Sequence, residues 1–194
     1  MHRSSVQLRS VISGIADKLV AIDTSKVPFR TFRPGVGPYG EPQLIRELAK
    51  RLNAGGEYKD KVVTKRTPDL LIHRAWAIEF KIVRPFGDNG DQAENWSANL
   101  LHPYRGNVSL IGDALKLLDT QMPERKAVAA IGYEHSPPQI ELGPLVRSFE
   151  LLATQVVGIR LGPRIEIGRK GLVHPIHQQL TVFAWELLER TVAA

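Results

Sequence analysis

The chain has 194 residues, 43% hydrophobic and 24% charged, which is typical of a globular domain large enough for a sizeable core. The absence of cysteine excludes disulfides and thiolate metal sites, and no apolar run approaches the roughly 20 residues of a membrane helix. A net charge of +6 favours a polyanionic partner such as DNA or RNA. We therefore expect one cytoplasmic domain over residues 1–194, without a membrane partner.

Two amphipathic helices are predicted before the first strand. Apolar residues at helical spacing favour a helix over residues 4–22, and the Pro/Gly-rich segment 28–40 is typical of a connecting loop. Residues 41–53 have the apolar stripe of a second helix, which Gly55 and Gly56 would end. A first strand is expected at 58–64.

A β-hairpin follows, with its turn at His73-Arg74-Ala75 between two segments of β-favouring residues. A register centred on Arg74 places Asp69 opposite Glu79, with about 4.5–5.5 Å between such cross-strand neighbours. Because strand side chains alternate between faces, Lys81 lies on the same face as Glu79. One sheet face would therefore carry two carboxylates and an ammonium at contact distance.

This arrangement is unfavourable without a ligand. Two facing carboxylates repel, so one of them holds a proton or the pair attracts a cation. Mg²⁺ is commonly held by one or two carboxylates together with water and phosphate oxygens. Lys81 could orient or deprotonate an attacking water, or offset charge on a phosphate. The pattern indicates metal-assisted hydrolysis of a phosphodiester, and the alternative is a solvated surface hairpin.

The rest of the chain predicts covering helices and further strands. Tyr104, Arg105 and Lys116 are candidates for contact with a substrate phosphate or base, although each could equally be a solvated side chain. The predicted elements, in chain order, are a loop at 84–95, a helix at 108–118, a buried strand at 126–133, a helix at 144–157, a strand at 157–167 that Gly162-Pro163 interrupts, and an amphipathic helix at 174–190.

Pro68, Asp69, Glu79 and Lys81 resemble the signature of the PD-(D/E)XK nuclease superfamily, which includes restriction endonucleases, Holliday-junction resolvases and repair nucleases. The resemblance implies that Asp69 and Glu79 bind Mg²⁺ or Mn²⁺ and that Lys81 serves the attacking water. It also implies that the backbone carbonyl of Phe80 is a metal ligand.

A glutamate of the first core helix often joins the metal site in this superfamily. Glu41 is the candidate here and Glu47 the reserve, while Glu41 could instead only favour the positive end of its helix. The resemblance implies an α/β fold with a restriction-endonuclease-like αβββαβ core, a central mixed sheet flanked by helices, and an extra N-terminal and C-terminal helix. Residues 41–135 would be the catalytic core, between an N-terminal helix with connector at 1–40 and C-terminal helices with a strand at 136–194.

The resemblance therefore predicts a metal-dependent nuclease of restriction, defence or repair, acting on DNA more than on RNA and compatible with a homodimer. Two other classes remain open. One is a catalytically inactive nuclease fold that binds nucleic acid or supports assembly, and the other is a protein-interaction domain whose basic face meets an acidic partner. Basic residues before the hairpin could hold a nucleic-acid backbone: Lys59, Lys61, Lys65 and Arg66.

Overall fold

The protein contains both helices and strands, which come in groups along the chain. The computed structural model describes residues 6–103 and 108–188. Its helices are α1 (Leu8–Thr24), α2 (Glu41–Asn53), α3 (Ala98–Leu101), α4 (Leu110–Leu118) and α5 (Gly143–Leu151), which widens into a π-helical turn at Leu152–Val156. Its strands are β1 (Val62–Val63), β2 (Leu70–Ile72), β3 (Trp76–Val83), β4 (Arg125–Glu134), β5 (Arg160–Leu161), β6 (Ile165–Lys170) and β7 (Gln179–Leu188).

These strands form one mixed sheet in the order β1-β2-β3-β4-β7-β5, and β6 also pairs with β7. The neighbours β3 and β4 run parallel, whereas the other pairs are antiparallel. Parallel neighbours require a crossover connection, and the chain accordingly leaves the sheet after β3, forms α3 and α4, and returns as β4. The crossover places α4 over the strand that carries Glu79 and Lys81.

The sheet separates two apolar cores. Helices α1 and α2 cover one face, together with the even-numbered side chains of β3 from Trp76 to Ile82. Helices α4 and α5 cover the other face, with Ala77 and Val83 of β3. Because side chains alternate along a strand, Glu79 and Lys81 point to the α4 side. The whole of β3 is buried, so both charged residues lie inside the protein.

The predicted hairpin is confirmed. Strand β2 pairs with β3 through Leu70–Ile78, Leu71–Ala77 and Ile72–Trp76, which is the register centred on Arg74. Arg74 itself takes a φ of 63°, the left-handed conformation of a tight turn. The helices predicted at 4–22, 41–53, 108–118 and 144–157 and the strand predicted at 126–133 are present with slightly different ends.

The predicted C-terminal helix at 174–190 is wrong, because Gln179–Leu188 forms the long strand β7 between β4 and the pair β5 and β6. Phe183, Trp185 and Leu187 face the core of α4 and α5, while the alternate residues face the core of α1 and α2. A strand buried on both faces has an almost continuous apolar sequence. Such a sequence lacks the strict alternation of apolar and polar residues that would have identified it as a strand.

The first predicted strand is shorter than expected. The strand expected at 58–64 is reduced to Val62–Val63, because Tyr58 ends a 3₁₀ turn that starts at Gly56. The interruption predicted at Gly162-Pro163 is confirmed, because it separates β5 from β6. Within residues 6–103 and 108–188, no helix combines the length and the apolar character needed to cross a membrane.

The packing of α5 against β7 can be tested at Phe149. Its buried ring lies 4.7 Å from the ring of Trp185, measured between centroids. Phe149→Ala should lower the free energy of unfolding by about 3–5 kcal/mol. Leu151→Ala, at a residue that is 62% exposed, should change it by about 0.5 kcal/mol or less. Urea denaturation followed by circular dichroism measures both, and equal effects would contradict this packing.

Candidate functional site at the edge of strand β3

Strand β3 is longer than its neighbour β2, and the site lies where β2 has ended. The last pair between them is Leu70 with Ile78, yet β3 continues to Val83. The N–H and C=O groups of alternate residues point to the same side of a strand. The main-chain groups of Phe80 and Ile82 therefore face the β2 side without a strand partner, and buried groups of this kind need other partners.

Two carboxylates accept the free N–H groups. Asp69, immediately before β2, accepts from Phe80 N at 2.8 Å through Oδ2. Glu41, the first residue of α2, accepts from Ile82 N at 3.0 Å through Oε2. Both acids are thus fixed at the strand edge by hydrogen bonds to charged acceptors, which are stronger than neutral ones.

The two free carbonyls are bonded by side chains as well. Lys81 Nζ donates to its neighbour's carbonyl, Phe80 O, at 3.1 Å. Asn99, in α3, donates from Nδ2 to Ile82 O at 3.0 Å. The edge of β3 that lacks a strand partner is therefore completed by polar side chains, and these side chains include three of the residues that the sequence predicted for the site.

Asp69 and Glu79 meet as the hairpin register predicts. Glu79 is 4% exposed, and the two carboxyl groups share a hydrogen bond. Burial, and after it the charge of Asp69 and a hydrogen bond with it, together raise the pKa of Glu79 to about 9. At neutral pH, Glu79 is consequently protonated, since two ionised carboxylates side by side would repel.

Lys81 lies between two further carboxylates. Its Nζ is 2.9 Å from Glu41 Oε1 and 2.7 Å from Asp113 Oδ2. Burial alone would lower the pKa of Lys81, but the charges of Glu41 and Asp113 outweigh it and raise the pKa above its usual value. Burial raises the pKa of Glu41 too, against the opposing effect of Lys81. Lys81 is therefore an ammonium that is held at a fixed position.

Asp113, in α4, is the site residue that sequence reasoning missed. The predicted stripe of this helix, 108–111–115–118, left Asp113 off its buried face. In the structure, Leu110, Ala114 and Leu117 are buried alongside Asp113, because α4 is covered on most sides. A single acid in an otherwise apolar helical segment was the available signal, since buried acids are rare without a partner.

The remaining predicted residues divide into three groups. Lys116 donates to Asp113 Oδ1 at 2.8 Å and its side chain is 38% exposed, so it lies beside the site. Glu47, the reserve for Glu41, instead pairs with Arg51 at 2.9 Å on the same helix. Tyr104 and Arg105 lie outside the described residues.

The oxygen atoms gathered here suit a hard divalent cation. Carboxylate and carbonyl oxygens are the ligands that Mg²⁺ and Mn²⁺ prefer, and Asp69, Glu79 and the carbonyl of Phe80 supply them next to one another. As the side chains stand in the described part of the chain, no group of three or more acidic or histidine residues is arranged around one point to hold an ion. Lys81 Nζ lies at the point where Glu41 and Asp113 converge.

Comparisons with models of known families, with characterised proteins and with solved structures find no match for this chain. The site itself combines a glutamic acid of raised pKa beside an aspartate with a buried lysine between two further acids.

The raised pKa of Glu79 predicts a pH dependence of stability. A carboxyl with a pKa near 4.5 in the unfolded chain and about 9 in the fold holds more protons when folded, so its contribution is complete below pH 4.5 and is lost as the pH rises to about 9. The slope is at most about 1.4 kcal/mol per pH unit. Glu79→Gln should therefore gain stability relative to wild type between pH 5 and 9, as measured by urea denaturation at several pH values.

A matched variant for that measurement is Glu141→Gln, at an exposed glutamate outside the site. Its difference from wild type should stay constant across the same pH range. If Glu79→Gln also showed a constant difference, Glu79 would not be protonated in the fold.

Proposed function

We propose that this protein is a divalent-metal-dependent nuclease that hydrolyses phosphodiester bonds, with DNA preferred to RNA. The observation that carries the proposal is the meeting of Asp69 and Glu79 beside Lys81 at an open strand edge. The resemblance to the PD-(D/E)XK superfamily supports it. The chain order α2-β1-β2-β3-α3-α4-β4 also supports it, since it agrees with the αβββαβ core of that superfamily apart from the short additional helix α3.

The proposed metal ligands are Asp69, Glu79 and the carbonyl of Phe80, with Mg²⁺ or Mn²⁺ as the ion. Such an ion polarises a phosphate oxygen and activates water when bound. Glu79 would lose its proton to become a ligand, and the positive charge of the ion would offset the burial and the charge of Asp69 that raise the pKa of Glu79. Glu41 and Asp113 hold Lys81 in place beside these ligands.

Lys81 acts as a cation in this proposal. Because its pKa is raised, it is protonated at neutral pH and cannot accept a proton from water. Its ammonium can instead donate a hydrogen bond to the attacking water or to a phosphate oxygen, and can offset the negative charge that develops there. Of the three roles that the sequence left open for Lys81, the proposal therefore takes charge stabilisation and orientation of the water, and not its deprotonation.

The backbone of the nucleic acid would be held by exposed cations near the hairpin. Lys65 and Arg66 are exposed and directly precede the cis peptide bond between Thr67 and Pro68 that leads into Asp69. Contacts of this kind release counterions, so binding should weaken steeply with salt.

A second candidate function is a binding or assembly module without turnover. The favouring observation is that Asp69 and Glu41 already accept hydrogen bonds from the strand edge. In such a module, these acids would only complete the sheet, and their loss would affect stability and not activity.

A cleavage assay separates the two functions. Wild type, Asp69→Asn and Lys81→Ala would be incubated with supercoiled DNA, single-stranded DNA, branched DNA and RNA, in Mg²⁺, Mn²⁺ or EDTA. We expect cleavage by wild type that requires metal and falls by about 100-fold or more in both variants, because each removes a charge from the reacting centre. Linear product without accumulated nicks in supercoiled DNA would indicate that two copies act together as a homodimer.

The control for this assay is Lys50→Ala, at an exposed lysine of α2 outside the site. It should cleave as wild type does, and circular dichroism should show that every variant is folded. Cleavage that persists in folded Asp69→Asn and Lys81→Ala would contradict the proposed site.

A further inference from the structure

A cleft of about 380 Å³ opens next to the candidate site. It lies between the loop around Phe32 and Pro38 and the segment that follows β3. This volume lies within the range of small-molecule binding sites. The aromatic, charged and amide side chains that line the cleft are Phe32, Arg84, Asp88, Glu94, Trp96 and Asn99.

The cleft continues the strand edge that forms the site. Ile82 and Asn99 line it, and they are also the residues that complete the site at its far end. Arg84 comes two residues after Ile82, just beyond the end of β3. At about 3.3 Å per residue, it lies about 13 Å from Phe80 along the direction of the strand. A substrate bound at Lys81 would therefore extend directly into the cleft.

The walls offer flat apolar surfaces. Trp96 is only partly buried, whereas Trp76 and Trp185 are 0% and 1% exposed. Phe32, also partly buried, comes from the other side of the cleft. Stacking on aromatic side chains is how proteins hold the bases of single-stranded nucleic acids.

The charges of the cleft disfavour a phosphate. Asp88 and Glu94 contribute two carboxylates and Arg84 one guanidinium, which is held by a hydrogen bond from Nη1 to Gly37 O at 2.6 Å. An anion would meet repulsion here, whereas the edge of a base presents both donors and acceptors, which suit carboxylates and a guanidinium respectively.

From these contacts we infer that the cleft binds one unpaired nucleobase next to the bond to be cleaved. This inference rests on the proposed nuclease function and adds the substrate class. A base within a duplex is stacked and paired, and reaches such a pocket only after it is extruded. The protein therefore acts on single-stranded or locally opened nucleic acid in preference to an intact duplex.

Binding without cleavage tests the inference. In EDTA and low salt, a single-stranded 12-mer would be compared with its blunt duplex and with an abasic strand of equal length, by fluorescence anisotropy and by the emission of the protein's tryptophans. Wild type should bind the single strand about tenfold or more tightly than the abasic strand. The single strand should also change the emission, because Trp96 is the tryptophan that reaches the cleft.

Three variants of the cleft and one control outside it make the result specific. Trp96→Ala should bind the single strand about tenfold more weakly and lose the preference over the abasic strand, whereas Trp96→Phe, which keeps an aromatic face, should restore most of both. Phe32→Ala tests the opposite wall, and serves alone if Trp96→Ala fails to fold. Leu151→Ala, an exposed apolar residue outside the cleft, should behave as wild type.

The two proposals can fail separately. Base-dependent binding with a change in emission, but without cleavage in any metal, would retain the cleft and overturn the nuclease. Metal-dependent cleavage with equal affinity for normal and abasic strands would retain the nuclease and overturn the cleft. The inference would also be overturned if wild type bound neither strand, or if Trp96→Ala and Phe32→Ala both left binding unchanged.

Discussion

The extension of β3 beyond β2 imposes one requirement on everything around it, namely that four buried main-chain groups of Phe80 and Ile82 find partners other than a strand. Lys81 of β3 itself bonds one of them, the carbonyl of Phe80. The other three partners are Asp69 from just before β2, Glu41 from α2 on one face of the sheet, and Asn99 from the crossover on the other. Elements that are distant in sequence are thus joined at one edge, and the same hydrogen bonds that complete the sheet fix the acids in position.

The charges at this edge are the basis of the proposed metal site. Lys81 pairs with Glu41 and Asp113, while Glu79 has a raised pKa beside Asp69. Under the proposed function a metal ion would replace the proton of Glu79, since a cation and a proton relieve the same repulsion. A sheet edge that needed only hydrogen-bond partners would not require this second acid, because the bond of Asp69 to Phe80 already satisfies that amide.

Sequence reasoning predicted the parts that depend on local periodicity. The hairpin register followed from residues near Arg74, and the meeting of Asp69 with Glu79 followed from that register. Sequence reasoning failed for helices and strands that are buried on more than one side. Strand β7 was mistaken for a helix, and Asp113 was overlooked, because neither segment presents the polar face on which a periodicity argument depends. That Glu41 reaches Lys81 around the open edge follows only from tertiary packing.

Titration calorimetry of divalent ions tests the central claim most directly. MgCl₂ and MnCl₂ would be titrated at pH 7, in two buffers of different ionisation enthalpy, into wild type, Asp69→Asn and the exposed control Asp60→Asn. We predict binding that releases about one proton, because Glu79 must ionise to become a ligand. Asp69→Asn should abolish this binding and Asp60→Asn should retain it. Wild type that binds neither ion, or Asp69→Asn that binds as wild type does, would contradict a metal site at the edge of β3.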